Sequence, residues 1–249
     1  MSILTQLEQA KQQGKKKFVV LIDPDKVRLG NMDNVLDNAV KAKVDYFFIG
    51  GSLIVNNQLD QCLLTIKEQC HIPMILFPGS SLQLSWKADA ILFLSLISGR
   101  NPDLLIGNHV IAAPYLKLSP LEVMPTGYML MDGGADTSVL YMSNTRPIPT
   151  HKEDIAVCTA MAGEMLGLRL LYMDAGSGAK IPIGEEIIES VSGAVSVPLV
   201  VGGGIKTPEK AAANAAAGAD VIVVGNAIEK NPNLVMEMAE AVHQFNSVS

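Results

Sequence analysis

The sequence is poor in several residue patterns that mark particular classes of protein. Its 249 residues include only three cysteines, and its 19 basic residues are outnumbered by 25 acidic ones. With no CxxC spacing and no basic surplus, neither a disulfide framework nor a nucleic-acid-binding surface is expected. The thiols of Cys62, Cys70 and Cys158 fit a reducing compartment, so we expect a cytoplasmic protein.

Long hydrophobic runs are also missing, although the mean hydropathy is high at +0.28. The longest stretch without charge, residues 69–86, contains Pro73, Pro78 and Gly79 and is too polar for a membrane-spanning helix. The N-terminus has no apolar core of a signal peptide. The apolar residues instead form short blocks of the kind that buried parallel strands require.

Common catalytic motifs are absent as well. The histidines show neither HxH nor HExxH spacing, which disfavours a zinc site. There is no GxSxG motif for a serine nucleophile. No lysine lies inside a predicted strand, which disfavours Schiff-base chemistry.

The sequence does contain short apolar blocks that alternate with helical stretches. The predicted strands are residues 18–23, 46–51, 73–79, 90–96, 128–132, 169–176, 198–204 and 221–226. The predicted helices are residues 31–43, 57–70, 101–109, 153–167, 184–194, 208–218 and 229–245. Eight such units predict an α/β protein with one (β/α)8 TIM-barrel domain over residues 1–249. A doubly wound open sheet is the alternative, disfavoured because no GxGxxG follows the first strand.

One connection of the predicted barrel is too short for a packed helix. The ten residues 80–89, SSLQLSWKAD, separate the third and fourth strands. We expect an extended loop or a single helical turn there. A second irregular stretch, residues 133–152, is predicted to be a mobile loop before the sixth unit.

Three glycine clusters follow the last three predicted strands. They are AGSG at 175–178, GGG at 202–204 and GN at 225–226. Glycine lets backbone N–H groups approach an anion, and barrel phosphate sites commonly use the loops after strands seven and eight. One cluster alone could simply turn the chain, but three together predict a phosphate site.

Polar residues stand at the ends of two further strands. Asp23 follows the first strand and Ser52 the second, and a carboxylate with a hydroxyl suits Mg²⁺. Tyr172 and Asp174 alternate on the sixth strand, so both are expected to face the barrel interior. Asp174 is placed to act as a base or to hold a substrate hydroxyl. The alternatives are a turn-capping role for Asp23 and a structural role for Asp174.

Five sequence motifs together resemble those of a known family. LIDPDK, FIGGS, YMDAGSG, VGGGIKTPEKA and ADVIVVGN, in this order, are similar to geranylgeranylglyceryl phosphate synthases and their bacterial relatives, and the resemblance covers essentially the whole chain. It implies a Mg²⁺-dependent prenyltransferase that joins a geranylgeranyl group from its pyrophosphate to the 3-hydroxyl of sn-glycerol 1-phosphate through an ether bond. It also implies a modified barrel in which an irregular segment replaces one helix, and a homo-oligomer.

The resemblance assigns roles to individual residues. It gives Asp23 and Ser52 to Mg²⁺, and the catalytic roles to Asp174 and Tyr172. It gives substrate binding to Tyr172, Met173, Asp174, Ala175, Gly176, Ser177, Gly178, Gly203, Gly204, Gly225 and Asn226.

The chain departs from the family pattern at three places. Asp174 stands where the family often has Glu, AGSG where it often has YSG, and Leu21 where it often has a Lys. These departures resemble the group that includes bacterial members. Arg100 and Lys26 are candidates to replace the missing Lys at the pyrophosphate.

A prenyl tail needs an apolar trench, for which Leu104, Leu105, Ile106 and Tyr128 are candidates. Those residues could equally be ordinary core. A longer prenyl donor, an isomerase or lyase on a phosphate-binding barrel, and a non-catalytic phosphate or lipid binder stay open as alternatives.

Overall fold

The computed structural model describes residues 1–25, 29–56, 58–80 and 83–246, without the side chains of residues 29–31. Eight parallel strands pair in sequence order and close into a barrel, because β1 pairs with both β2 and β8. This confirms the predicted α/β barrel. The strands are β1 Lys17–Ile22, β2 Tyr46–Ile49, β3 Met74–Leu76, β4 Ala90–Leu96, β5 Glu122–Leu130, β6 Leu170–Asp174, β7 Leu199–Gly202 and β8 Val221–Val224.

Helices surround the barrel at most of the predicted positions. They are α1 Ile3–Gln12, α2 Leu29–Lys41, α3 Leu59–Gln69, α4 Asn108–Leu118, α5 Ser138–Ser143, α6 Glu153–Met165, α7 Glu185–Ala194, α8 Pro208–Ala216, α9 Asn226–Lys230 and α10 Leu234–His243. A π-helical turn, Asp103–Gly107, leads into α4, and a 3-10 turn, Gln244–Asn246, follows α10. None of these helices is long and apolar enough to cross a membrane, within the part of the chain that is described.

The connection between β3 and β4 contains no helix in its described residues, 77–80 and 83–89. The prediction of an irregular segment at this place is confirmed. Trp86 on this segment is largely exposed, whereas Gln83 and Ser85 are buried. The segment therefore covers the barrel with polar side chains and the apolar side chains of Leu84 and Ala88, rather than with an apolar helical face.

Two apolar clusters form the core. One fills the barrel interior with alternate strand residues such as Phe48, Leu92 and Tyr172. The other lies between the barrel and the helices. Every strand carries apolar side chains on both faces, which is why the sequence shows continuous apolar blocks.

Helix α1 closes the amino-terminal end of the barrel, which the sequence analysis did not predict. Ile3, Leu4 and Leu7 join the interior cluster. The Glu122 carboxylate at the start of β5 accepts the backbone N–H groups of Ile3 at 2.6 Å and Leu4 at 2.8 Å. A carboxylate at a helix N-terminus is favourable because it satisfies free N–H groups.

The predicted elements at β5 and at α4 differ from the structure. Strand β5 begins at Glu122 rather than at residue 128, because pairing with β4 carries Pro125 and Gly127 into the barrel despite their low strand propensity. The predicted helix 101–109 is instead the π-helical turn Asp103–Gly107, followed directly by α4, which continues to Leu118. The irregular stretch 133–152 contains the short helix α5.

Candidate functional site

The carboxyl ends of the strands surround a cavity of about 850 Å³. Its mouth is lined by the glycine clusters after β6, β7 and β8 and by Asp23 and Ser52 after β1 and β2. From the mouth it continues as an apolar groove toward β4 and α4. One continuous space therefore offers a polar end and an apolar end.

The glycine clusters converge as predicted. Ser177 after β6 and Asn226 after β8 hydrogen-bond to each other, with Asn226 Nδ2 donating to Ser177 Oγ at 3.1 Å. Between them lies the β7 loop with Gly203 and Gly204. The cavity-lining members of the predicted substrate-binding set are Tyr172, Asp174, Gly176, Ser177, Gly178, Gly203, Gly204, Gly225 and Asn226.

Gly203 is the most constrained of these glycines. Its φ is +81°, and a Cβ there would lie 2.5 Å from Asp174 Oδ1 and 2.6 Å from the backbone nitrogen of Ala175. A side chain would collide with fixed atoms, since both belong to the end of β6. Gly203 thus lets the β7 loop lie directly against the carboxylate of Asp174.

The structure separates Met173 and Ala175 from the other predicted substrate-binding residues. The Met173 side chain is fully buried in the cluster between barrel and helices. Ala175 belongs to the same cluster and borders a second, smaller cavity behind β5 and β6. Neither residue lines the main cavity, because the strand alternation turns both side chains away from the mouth.

Asp174 lies buried in the cavity wall with 7% of its surface exposed. Its Oδ2 accepts the Tyr128 hydroxyl at 2.6 Å, and its Oδ1 accepts the backbone N–H of Gly176 at 2.8 Å. Burial raises the pKa of Asp174 above its ordinary value, and these two hydrogen bonds offset the rise only in part. A carboxyl group with a raised pKa is a better proton acceptor once it is ionised.

Tyr172 lies two residues earlier on the same strand and points into the barrel interior, as predicted. Its ring stacks on Phe77 with centroids 5.2 Å apart and meets Tyr128 edge to face at 5.5 Å. Burial, with the nearby negative charge of Asp174, raises the pKa of Tyr172 well above its ordinary value. Its hydroxyl therefore stays protonated and keeps its ability to donate a hydrogen bond.

Asp23 and Ser52 both line the mouth, beside the glycine cluster after β8, because β1 pairs with β8 and β2 with β1. Asp23 is 8% exposed, and its Oδ1 accepts the backbone N–H of Asp25 at 3.1 Å. The described residues contain no group of three or more His, Cys, Asp or Glu side chains suited to a metal. A carboxylate and a hydroxyl beside open space fit Mg²⁺, which keeps several waters and accepts phosphate oxygens.

Two residues outside the predicted set shape this rim. Asp25 accepts the backbone N–H groups of Val55 at 2.6 Å and Asn56 at 3.2 Å, which ties the β2 loop to the β1 loop. Gln83 accepts the N–H of Gly79 at 2.9 Å and donates to the carbonyl oxygen of Gly51 at 3.0 Å. The irregular segment between β3 and β4 thus supplies a clamp for the loop that carries Ser52.

The apolar groove runs between β4 and α4. Its lining includes Leu92, Phe93, Leu104, Ala112 and Leu116. Among the predicted trench residues, Leu104 and Tyr128 line the cavity, whereas Leu105 and Ile106 lie outside its lining. The π-helical turn accounts for the split, because its wider turn places Leu104 inward and leaves Ile106 exposed.

A buried histidine lies in this groove. His109 on α4 is buried, its Nε2 is 3.1 Å from Ser95 Oγ, and its ring meets Phe93 edge to face at 4.4 Å. Burial lowers the pKa of His109. A neutral imidazole is compatible with an apolar ligand.

The cations that line the described part of the mouth include two that were not predicted. Arg100 is exposed, lies outside the cavity lining and donates to the carbonyl oxygen of Gly99 at 2.7 Å. Lys26 lies outside the described residues. Lys206 and Lys230, in the segments after the glycine clusters of β7 and β8, line the cavity instead. Both lysines lie within a few residues of a glycine cluster along the chain, and this spacing could have indicated them.

Comparison with known proteins gives consistent results along the whole chain. The family model described as "PcrB family" matches residues 11–244. Geranylgeranylglyceryl phosphate synthase of Chitinophaga pinensis is 59% identical over 233 residues, covering 94% of this chain and 92% of that protein. The synthase of Spirosoma linguale is 51% identical over 243 residues, covering 98% of each.

A solved structure agrees with these relatives. It is the (S)-3-O-geranylgeranylglyceryl phosphate synthase of Thermoplasma acidophilum in complex with the substrate sn-glycerol-1-phosphate. It matches with a TM-score of 0.92 at 33% identity and covers 98% of this chain and 99% of that one. The resemblance inferred from the motifs is therefore confirmed, and the chain belongs to the PcrB family, together with geranylgeranylglyceryl phosphate synthases of bacteria and archaea.

Proposed function

We propose that this protein transfers a geranylgeranyl group from its pyrophosphate to the 3-hydroxyl of sn-glycerol 1-phosphate and releases pyrophosphate. The observation that carries the proposal is the single cavity that joins a glycine-lined mouth, a buried carboxylate and an apolar groove. The glycine-lined mouth suits the phosphate of one substrate, and the apolar groove suits the long tail of the other. The relatives, named for this activity, support the same conclusion.

The arrangement assigns a task to each part of the mouth. The backbone N–H groups of the glycine clusters bind the phosphate of glycerol 1-phosphate. Asp174 holds the 3-hydroxyl and accepts its proton as the hydroxyl oxygen bonds to the allylic carbon. The bond between that carbon and the pyrophosphate oxygen breaks, and the pair of electrons leaves with pyrophosphate.

Asp23 and Ser52 are the residues that would hold Mg²⁺. When bound there, Mg²⁺ would supply neutralising charge for the departing pyrophosphate. The support is their position at the cavity mouth, on strand ends that neighbour the glycine cluster after β8. Asp25 and Gln83 contribute by fixing the loops that carry these two residues.

An isomerase or lyase on the same fold is not favoured. Such an enzyme has no use for the apolar groove between β4 and α4, and the relatives at 51–59% identity carry the synthase name. A purely binding protein has no use for a buried carboxylate with a raised pKa.

Purified protein supplied with sn-glycerol 1-phosphate, Mg²⁺ and C15, C20 or C35 prenyl pyrophosphates provides the direct test. We expect an ether product by mass spectrometry, formed fastest from the C20 donor. Faster turnover of the C35 donor would indicate a longer-chain synthase. Absence of ether product with every donor would contradict the proposed function.

Filling the groove is expected to separate tail binding from phosphate binding. Ala112 lines the groove on the inner face of α4, so Ala112→Trp should raise KM for the C20 donor by about tenfold or more, a loss of at least about 1.4 kcal/mol. KM for glycerol 1-phosphate should stay within about twofold of the original. The matched control is Ala113→Trp, which places the same side chain on the exposed face of α4. Equal effects of both variants would show that the groove does not hold the tail.

We also propose a homo-oligomer that works in the cytoplasm. The outer face of α4 exposes Val110, Ile111, Tyr115 and Leu118, each with at least 60% of its surface accessible. A contiguous apolar face of this kind is typical of a protein–protein interface. The cytoplasmic location is supported by the three free cysteines, of which Cys62 and Cys70 are buried.

A further inference from the structure

Tyr128 joins the apolar groove to the buried carboxylate. It lies on β5 directly opposite Tyr172 in the strand register, and its ring lines the cavity. The Tyr128 hydroxyl donates a hydrogen bond to Asp174 Oδ2 at 2.6 Å, two residues beyond Tyr172 on β6. This bond is short and charge-assisted. Both side chains are buried, which limits competition from water for this bond.

The two oxygens of Asp174 are held from opposite sides. Tyr128 occupies one lone pair of Oδ2, and the N–H of Gly176 occupies one lone pair of Oδ1. Each oxygen keeps one further acceptor site, which is what a substrate hydroxyl requires. With both contacts in place the carboxylate plane cannot rotate about the Cβ–Cγ bond without losing a hydrogen bond.

We propose that Tyr128 is a positioning residue that fixes the Asp174 carboxylate in the orientation needed to accept the proton of the 3-hydroxyl. This inference rests on the proposed function, in which Asp174 is the proton acceptor. It adds that Tyr128, which borders the prenyl groove, also orients the Asp174 carboxylate. One side chain therefore contacts both the site for the tail and the proton acceptor.

The surroundings of Asp174 make Tyr128 the relevant contact. The titratable groups that face it are Tyr128 from β5 and Tyr172 from β6, and only the first is hydrogen-bonded to it. From the loops of β6 and β7 it meets the backbone of Gly176 and Gly203. Because the Tyr128 bond favours the ionised carboxylate, its removal should raise the pKa of Asp174 further.

Tyr128→Phe is the first test, because it removes the hydroxyl and keeps the ring. We expect kcat to fall by about tenfold, as for loss of one hydrogen bond to a charged group, with KM for the prenyl donor little changed. The acid limb of the kcat profile should move to higher pH, since the base is then protonated at higher pH. A profile that stays in place with unchanged kcat would overturn the proposal.

A double-mutant cycle distinguishes positioning from packing. In an Asp174→Asn background, Tyr128→Phe should cause no further loss of kcat, because the group it acts through is gone. The same tenfold loss in both backgrounds would show that Tyr128 acts independently of Asp174 and would overturn the proposal. An inactive original protein, or an Asp174→Asn variant with full activity, would contradict the proposed function instead.

Incorporation of 3-fluorotyrosine at position 128 covers the case in which Tyr128→Phe does not fold. The fluorinated phenol is a stronger hydrogen-bond donor with nearly the same shape. The acid limb should then move to lower pH, opposite to the shift for phenylalanine. A shift in the same direction, or none, would overturn the proposal.

Discussion

Asp174→Asn is expected to lower kcat by about 10²- to 10⁴-fold, the range found for loss of a general base. The amide has nearly the same size and its oxygen still accepts the Gly176 N–H, but it does not take the proton of the 3-hydroxyl. KM for glycerol 1-phosphate should change far less, because in the proposed function the backbone N–H groups of the glycine clusters hold the phosphate. Steady-state kinetics with both substrates varied in turn would measure this.

Asp132→Asn serves as the matched control for that experiment. Asp132 follows β5, is exposed, and accepts the N–H of Gly134 at 2.9 Å outside the main cavity. We expect its kcat to stay within about twofold of the original, as for surface substitutions. If Asp174→Asn also stayed within that range, the carboxylate would have no part in proton transfer.

Asp23→Asn is expected to lower turnover by about two orders of magnitude or more, because metal stabilisation of a leaving group contributes several kcal/mol. The substitution removes the negative charge at the mouth while the side chain keeps its size and burial. The Mg²⁺ concentration for half-maximal activity should rise, and the thermal unfolding temperature should change little. A Mg²⁺ titration of activity, paired with a melting curve, would measure both.

Asp37→Asn is the matched control for the metal experiment, since Asp37 is exposed on α2. Its turnover and its Mg²⁺ requirement should equal those of the original protein. Unchanged turnover and unchanged Mg²⁺ dependence in Asp23→Asn would show that the metal is not held at this rim.

The sequence predicted most of the barrel because its strands are buried on both faces. Continuous apolar blocks ending in Gly, Asp or Ser mark such strands, and the ten residues 80–89 were visibly too few for a helix. The start of β5 was hidden because Pro125 and Gly127 resemble a turn, whereas closure of the barrel requires them to pair with β4. The docking of α1 was hidden because its partner, Glu122, is 118 residues away along the chain.

The candidate site was predicted unevenly for a similar reason. Strand ends converge in any parallel barrel, so Asp23, Ser52 and the glycine clusters could be grouped from their positions alone. The bond between Tyr128 and Asp174, the Gln83 clamp and the inward turn of Leu104 depend on register and on local helix geometry. The sequence pattern does not specify side-chain packing of this kind.

The position of α4 has a consequence for the stability of the folded protein. The helix packs chiefly against the π-helical turn before it, and the groove separates much of its inner face from β4. A folded protein normally fills such a space with its own side chains, and unfilled apolar volume is destabilising. In the proposed function a bound prenyl tail would supply the missing atoms, so the substrate would act as part of the hydrophobic core while it is bound.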